Sequence, residues 1–300
     1  MRVEQNRNIL IPDEFPAIHS EVFSTKKGTL YLKRPGVVII SAPAVSISGM
    51  KDFLAGFPEE YNFTDYLEDP GLLTSDEQLI KMAGQTCYAS WGPQRSRNDV
   101  IEKYIGNLVS SGHGSVLEHA CFSVLIYGMS RSCSLEMVRH RAGTAFSQLS
   151  QRYVSGKVLR FVERPEYQND EELHSRFERN IDFAAQEYEK IAQELLVKQI
   201  SGDQLLSGAA KTDLRKKVQQ AARSVLPNET ETIMVMTANI RAWRHIINMR
   251  ASEHAEIEIR DVAYKIFQVL RQVTPNMFAD FEVVDLLDGT KGVKTKYPKV

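Results

Sequence analysis

From position 136 to 153 the chain reads Glu-Met-Val-Arg-His-Arg-Ala-Gly-Thr-Ala-Phe-Ser-Gln-Leu-Ser-Gln-Arg-Tyr. Arg139, His140, Arg141 and Arg152 stand here among Ser147, Gln148 and Ser150, around a small-residue break at 142–145 that is expected to end a helix. Arginine offers a rigid fork of donors that matches phosphate or carboxylate, so this density of cations points to an anion site. A solvated basic turn is the other reading, and residue types alone leave both open. A second cation, Arg250, falls on the apolar stripe of Trp243, Ile246 and Ile247. A buried charge needs a partner, which is either a bound anion or a glutamate such as Glu253.

Other reactive types are less promising. Ser150 has no histidine or aspartate at a recognisable spacing, and an unactivated hydroxyl is a weak nucleophile, so it is read as a positioning group. Cys87, Cys121 and Cys133 form no Cys-x-x-Cys pair and are read as packing residues. His113, Glu118 and His119 lack the His-Glu-x-x-His spacing of a zinc site, so no metal is expected. No Gly-x-Gly-x-x-Gly follows a strand and no phosphate-binding Gly-Lys-Ser/Thr loop occurs, so any nucleotide must be held by something else.

The elements that must carry these residues follow from periodicity. Residues 36–41 are a buried strand, 119–127 a strand closed by Gly128, and 232–238 a third. Helices are expected at 75–87 with Ser75 as the cap, at 100–110, 130–141, 171–198 (ending at Ser201-Gly202) and 214–225, from Asn239 through Arg250, and at 256–273. Within 130–141, Glu136 would face Arg139 and His140 at three- and four-residue spacing. Residues 1–34 read as an extension and 35–288 as one domain. An irregular insertion near 45–75, rich in Gly and Pro including Pro70 and Gly71, interrupts it, and 289–300 read as a tail. Strands separated by helices without a regular βαβ rhythm give an α+β class, a central mixed sheet with long packed helices.

Composition sets the outer bounds. With 300 residues, 43% hydrophobic and 25% charged, the chain can bury a sizeable core. A net charge of -1 argues against a general nucleic-acid binder and requires any anion site to be local. No apolar run reaches membrane-spanning length and no export signal opens the chain, so a soluble protein is expected. Three cysteines without pairing spacing fit a reducing cytoplasm.

Arg139-His140-Arg141 followed by Ser150-Gln151-Arg152-Tyr153 resembles the signature of the flavin-dependent thymidylate synthases, Arg-His-Arg, seven residues, then Ser. Here the gap at 142–149 holds one residue more. The stretches 112–119, Ser130-Arg131-Ser132-Cys133, 222–228, 241–245 and 250–254 are similar to the family in the same order. The resemblance implies a flavin-dependent thymidylate synthase fold and reductive methylation of dUMP to dTMP. Methylenetetrahydrofolate would be the carbon donor, reduced FAD the hydride source and NADPH the reductant, in a homotetramer whose chains share active sites. It implies Ser115, Arg139, His140, Arg141, Gln148, Asn239, Arg241 and His245 for FAD. For dUMP it implies Glu136, Arg139, Gln148, Leu149, Ser150, Gln151, Arg152, Arg223 and Arg250, with Arg250 also catalytic. UMP as the substrate is one alternative, because no residue singled out reports on the ribose 2′ position, and a noncatalytic anion-binding homologue, its flavin site spoiled by the extra residue at 142–149, is the other.

Overall fold

The computed structural model describes residues 2–3, 10–11, 14–68, 73–91, 100–153, 159–201 and 211–300, so Pro70, Gly71 and Gly202 lie outside the described residues. In chain order the strands and helices begin with β1 (Arg2–Val3), β2 (Leu10–Ile11), β3 (Ala17–Ile18), β4 (Val22–Ser24), β5 (Leu30–Leu32), β6 (Gly36–Ser41), α1 (Lys51–Ala55), α2 (Ser75–Thr86) and α3 (Ile101–Ser110). They continue with β7 (Cys121–Ser130), α4 (Arg131–Met137), β8 (Thr144–Gln148), β9 (Arg160–Val162), α5 (Glu171–Ile200) and α6 (Lys211–Ala222). The last are β10 (Glu231–Asn239), α7 (Ile240–Arg250), α8 (Ile257–Val273), β11 (Phe281–Asp285) and β12 (Lys291–Thr295).

Five strands form the main sheet in the order β3-β6-β7-β10-β8, antiparallel at every pairing. The one parallel pairing among the described strands joins β5 to β9 in a smaller sheet with β4. Alternation places Phe122, Val124 and Ile126 of β7 beside Met234, Met236 and Ala238 of β10 on the buried face. Helix α8 covers that face because Ile259, Val262, Ile266 and Leu270 recur at helical spacing, each with no exposed surface. Full burial of each such side chain contributes about 1.5–3 kcal/mol.

The α+β class is as expected, and several boundaries differ for identifiable reasons. The helix expected over 130–141 ends at Met137, where Arg139 N–H and His140 N–H bond the carbonyls of Glu136 and Met137 in tight turns. Arg139, His140 and Arg141 therefore lie on a loop, and the expected helical pairing of Glu136 with the first two does not form. The strand expected to close at Gly128 runs on to Ser130. Gly128 has φ +64, and a Cβ there would meet the Arg34 carbonyl at 2.6 Å, so only glycine lets the strand pass that backbone. Helix α2 is capped by Thr74 instead of Ser75, the Glu77 carboxylate accepting from Thr74 N–H at 3.1 Å. Helix α6 stops at Ala222, leaving Arg223 in a 3₁₀ turn.

Both chain ends take part in the packing. Strand β3 adds an edge to the main sheet, and Tyr31 of β5 joins Phe161, Phe177, Ile181 and Ala184 in a cluster against α5. The residues expected as a tail instead form β12, which pairs with β11, and Val293 and Val300 are buried in the main core. The stretch near 45–75 contributes α1 and short turns around a separate cluster of Ile47, Leu54, Phe63, Tyr66 and Trp91. Cys133 is a packing residue, but Cys87 and Cys121 are exposed.

Candidate active site

Helix α4 opens with Ser130 as its cap, the hydroxyl accepting from Cys133 N–H at 3.0 Å and donating to Glu258 at 2.7 Å. The Arg131 side chain, first in the helix, makes long contacts of 3.5 Å to the Leu149 carbonyl and Thr232 Oγ1. Burial, and then the nearby Arg223, hold its guanidinium below the usual arginine range. Neither Arg131 nor Arg223 has a carboxylate partner among the described residues. Two guanidinium groups near one another, neither paired with a carboxylate among the described residues, suit an anion of high charge. Arg131 was not among the expected site residues. Its signal was its place in a stretch shared with the family, to which no role had been attached.

Close to the other end of α4, Glu136 meets Arg250 across 114 positions of sequence. Arg250 Nη1 donates to Glu136 Oε2 at 2.8 Å, and Arg250 Nε donates to His140 Nε2 at 2.8 Å. Glu253, the alternative partner, lies instead 3.6 Å from His254 at the surface. Burial, then the charge of Arg250 and of His245, lowers His140 to about 4. Its ring is thus neutral at neutral pH, with Nε2 the acceptor and the proton on Nδ1. Of the five N–H donors of Arg250, Glu136 and His140 take two at 2.8 Å, and a third makes a 3.5 Å contact to the Glu136 carbonyl.

A pocket of about 300 Å³ opens beside this knot, lined by Gly143, Asn239, Arg241, His245 and residues 298–300 among others. Strand β8 and β10 deliver its floor: Thr144 pairs with Ala238, and Asn239 N–H bonds the Gly143 carbonyl at 3.1 Å. Gly143 has φ +69, and a Cβ on it would sit 2.6 Å from Asn239 Nδ2. Asn239 in turn caps α7, accepting from Ala242 N–H at 2.8 Å, which turns the positive end of that helix toward the pocket. Arg241 and His245, four residues apart on α7, share the face, and the His245 ring lies 5.8 Å from that of His140. Arg241 is bound to Glu118 at 2.6 Å.

The remaining expected residues fall around these two centres. Gln148 reaches Ser134 Oγ at 2.8 Å and Thr232 Oγ1 at 3.0 Å, and Leu149 N–H bonds the Ile233 carbonyl. Ser150 Oγ accepts from Arg152 N–H at 3.3 Å, and no histidine or carboxylate among the described residues activates it. Gln151 is half-buried beside it, and Arg152 lies over the exposed Tyr153 ring at 5.5 Å. Ser115 is exposed, next to Gly114, which packs under the Arg241 side chain. Arg139 and Arg141 are exposed, with no carboxylate partner among the described residues. Unpaired arginines, a helix N-terminus and imidazole and amide groups at one pocket fit a flavin nucleotide, whose phosphates need cations and whose ring system needs polar edges.

Residues 72–276 match the family model described as thymidylate synthase complementing protein. The chain is 45% identical over 217 residues to the flavin-dependent thymidylate synthase of Mycobacterium sp. (strain KMS), covering 72% of this chain and 84% of that one. It is 41% identical over 233 residues to the protein of that name from Mycobacterium leprae (strain Br4923), covering 76% and 91%. Among solved structures, a UMP/dUMP methylase PolB from Streptomyces cacaoi bound with 5-Br dUMP shares the fold. It aligns with a TM-score of 0.54 at 18% identity, covering 82% of this chain and 94% of that one.

Proposed function

Because this chain belongs to the flavin-dependent thymidylate synthase family, we propose that it methylates dUMP to dTMP with methylenetetrahydrofolate as carbon donor, FAD as the flavin and NADPH as the reductant. It is a methyltransferase. The observation that carries the substrate assignment is the layout of α4. Arg131 and Glu136 are five residues apart on one helix, about 7–8 Å along its axis at 1.5 Å per residue. The cation pair and the carboxylate that holds Arg250 are thus carried by the same short helix, which would let one nucleotide reach both. Arg131, Arg223 and Arg152 bind the phosphate, with Arg139, Gln148, Leu149, Ser150 and Gln151 along the nucleotide.

Arg250 faces the pyrimidine edge with its remaining N–H groups and stabilises negative charge there as C5 becomes nucleophilic. Glu136 and neutral His140 orient the guanidinium, so little reorganisation is required when that charge develops. Ser115, Arg139, His140, Arg141, Gln148, Asn239, Arg241 and His245 would hold the flavin, which in its reduced form would supply the hydride for the methyl group. A covalent enzyme thiolate is not part of this scheme: burial pushes the Cys133 thiol well up and also raises Cys121.

On this reading the active site is shared between chains of a cytoplasmic homotetramer, so light scattering is expected to give roughly four times 34.0 kDa. No helix of the described residues is long and apolar enough to cross a membrane. The deciding assay supplies dUMP or UMP with folate donor, FAD and NADPH and follows the methylated product. Formation of dTMP dependent on all components is expected. Absence of flavin uptake by the wild type at saturating FAD would overturn the assignment.

A further inference from the structure

The segment 298–300 lies beyond the stretch 72–276 that matches the family model, yet it lines the same pocket as Asn239, Arg241 and His245. What holds it there is a buried ionic clamp. Arg244, 1% exposed, donates from Nε to the Val300 carbonyl at 3.2 Å and from Nη1 and Nη2 to Asp280 Oδ1 and Oδ2 at 2.7 and 2.9 Å. It also donates to the Met277 carbonyl at 2.5 Å, and its plane lies 4.8 Å from the Phe281 ring centroid. Thr295 Oγ1 bonds Asp280, Val300 N–H bonds the Tyr297 carbonyl at 3.3 Å, and the Val300 side chain enters the main core. The helix that presents Arg241 and His245 to the pocket thus fixes the segment carrying Lys299 along the same pocket.

Charge balance makes Lys299 matter. Arg241 already has a counter-charge in Glu118 at 2.6 Å. Lys299 is exposed, lines the pocket and has no carboxylate partner among the described residues. On this wall it is the lysine left to meet an anion. We propose that residues 298–300 form an additional wall of the cofactor pocket and that Lys299 is a binding residue for the diphosphate of the flavin nucleotide. The inference rests on the flavin reading given above.

The test is a titration of flavin-free protein with FAD, followed by quenching of flavin fluorescence across a range of salt. Lys299→Ala weakens FAD binding about fivefold at low salt, the upper range for an exposed ion pair. Lys299→Glu weakens it further, and Lys299→Arg retains wild-type affinity. The difference closes near 1 M salt, where screening acts within about 3 Å. Calorimetric binding of dUMP is the same in wild type and Lys299→Ala. Wild-type FAD binding with an unchanged Kd in Lys299→Ala overturns the proposal alone, as does a defect that persists undiminished at high salt, because that marks a structural role. A wild type that takes up no flavin overturns the flavin reading and this inference with it.

Discussion

Arg250 and Arg223 illustrate how two arginines in one site can have different kinetic signatures. Arg250 is held by Glu136 and His140 and is proposed to face charge that grows during reaction, so Arg250→Ala should lower kcat by on the order of 10²–10³-fold, as for loss of a preorganised donor. Arg223, near Arg131, is proposed to meet the phosphate, whose charge is the same in ground and transition states, so Arg223→Ala should chiefly raise KM for dUMP, by about tenfold or more. Steady-state kinetics on both variants distinguish these, and near-normal turnover in Arg250→Ala removes that residue from the chemistry. Ser150→Ala should keep measurable turnover, because a positioning hydroxyl is worth about 0.5–1.5 kcal/mol. Abolished turnover with intact FAD and dUMP binding would restore it as a nucleophile. His140 adds a pH signature. Its folded value, lowered to about 4, lies below its ordinary value, so the unfolded chain binds the extra proton. The stability it contributes is complete above about 6.5 and is lost as pH falls toward 4. Urea midpoints of His140→Gln should therefore fall less steeply than wild type across that window, and parallel curves would refute the neutral, buried imidazole.

At the level of elements, the turn between α4 and β8 determines whether the two halves of the site meet. Gly143 has φ +69 and touches Asn239, the residue that caps α7. An alanine there incurs left-handed strain of about 1–2 kcal/mol and displaces a cap worth typically about 1 kcal/mol. Gly143→Ala should lose about 2 kcal/mol in urea unfolding and show reduced flavin occupancy, whereas a loss under 0.5 kcal/mol would mean the turn relaxes freely. The same elements show what a sequence discloses. Helices α5 and α8 were legible because their apolar residues repeat over many turns, as at Ile259, Val262, Ile266 and Leu270. Strand β8 was not, because Thr144–Gln148 has one β-branched residue and owes its conformation to pairing with β10. The need of Arg250 for an anion was readable from its stripe, but its partner was not. Glu136 lies 114 positions away, and no local spacing encodes that distance. The family motifs supplied the candidate residues, yet gave Arg131 no role, and only its nearness to Arg223 in the fold suggests one.

Across the whole molecule, one buried guanidinium ties the family core to the segment that follows it. Arg244 belongs to a stretch similar to the family, but no role for it was legible in the sequence, because its partner Asp280 stands 36 positions on, past the end of the family match at residue 276. Its contacts hold α7, the turn at Met277, the β11–β12 hairpin and Val300 together. Removing one member of a buried pair strands the other charge, at a cost of about 3–5 kcal/mol. Arg244→Met should therefore lower stability by at least about 3 kcal/mol in urea unfolding and make the β11–β12 hairpin the first site of proteolytic cleavage. The double variant Arg244→Met with Asp280→Leu should recover part of the loss, since replacing both charges leaves neither without a partner. Two results would contradict this account: a single variant within 1 kcal/mol of wild type, or a double variant whose losses simply add. Either would mean that the hairpin is held by Val293, Phe281 and Val300 in the apolar core, and that the clamp only decorates their packing.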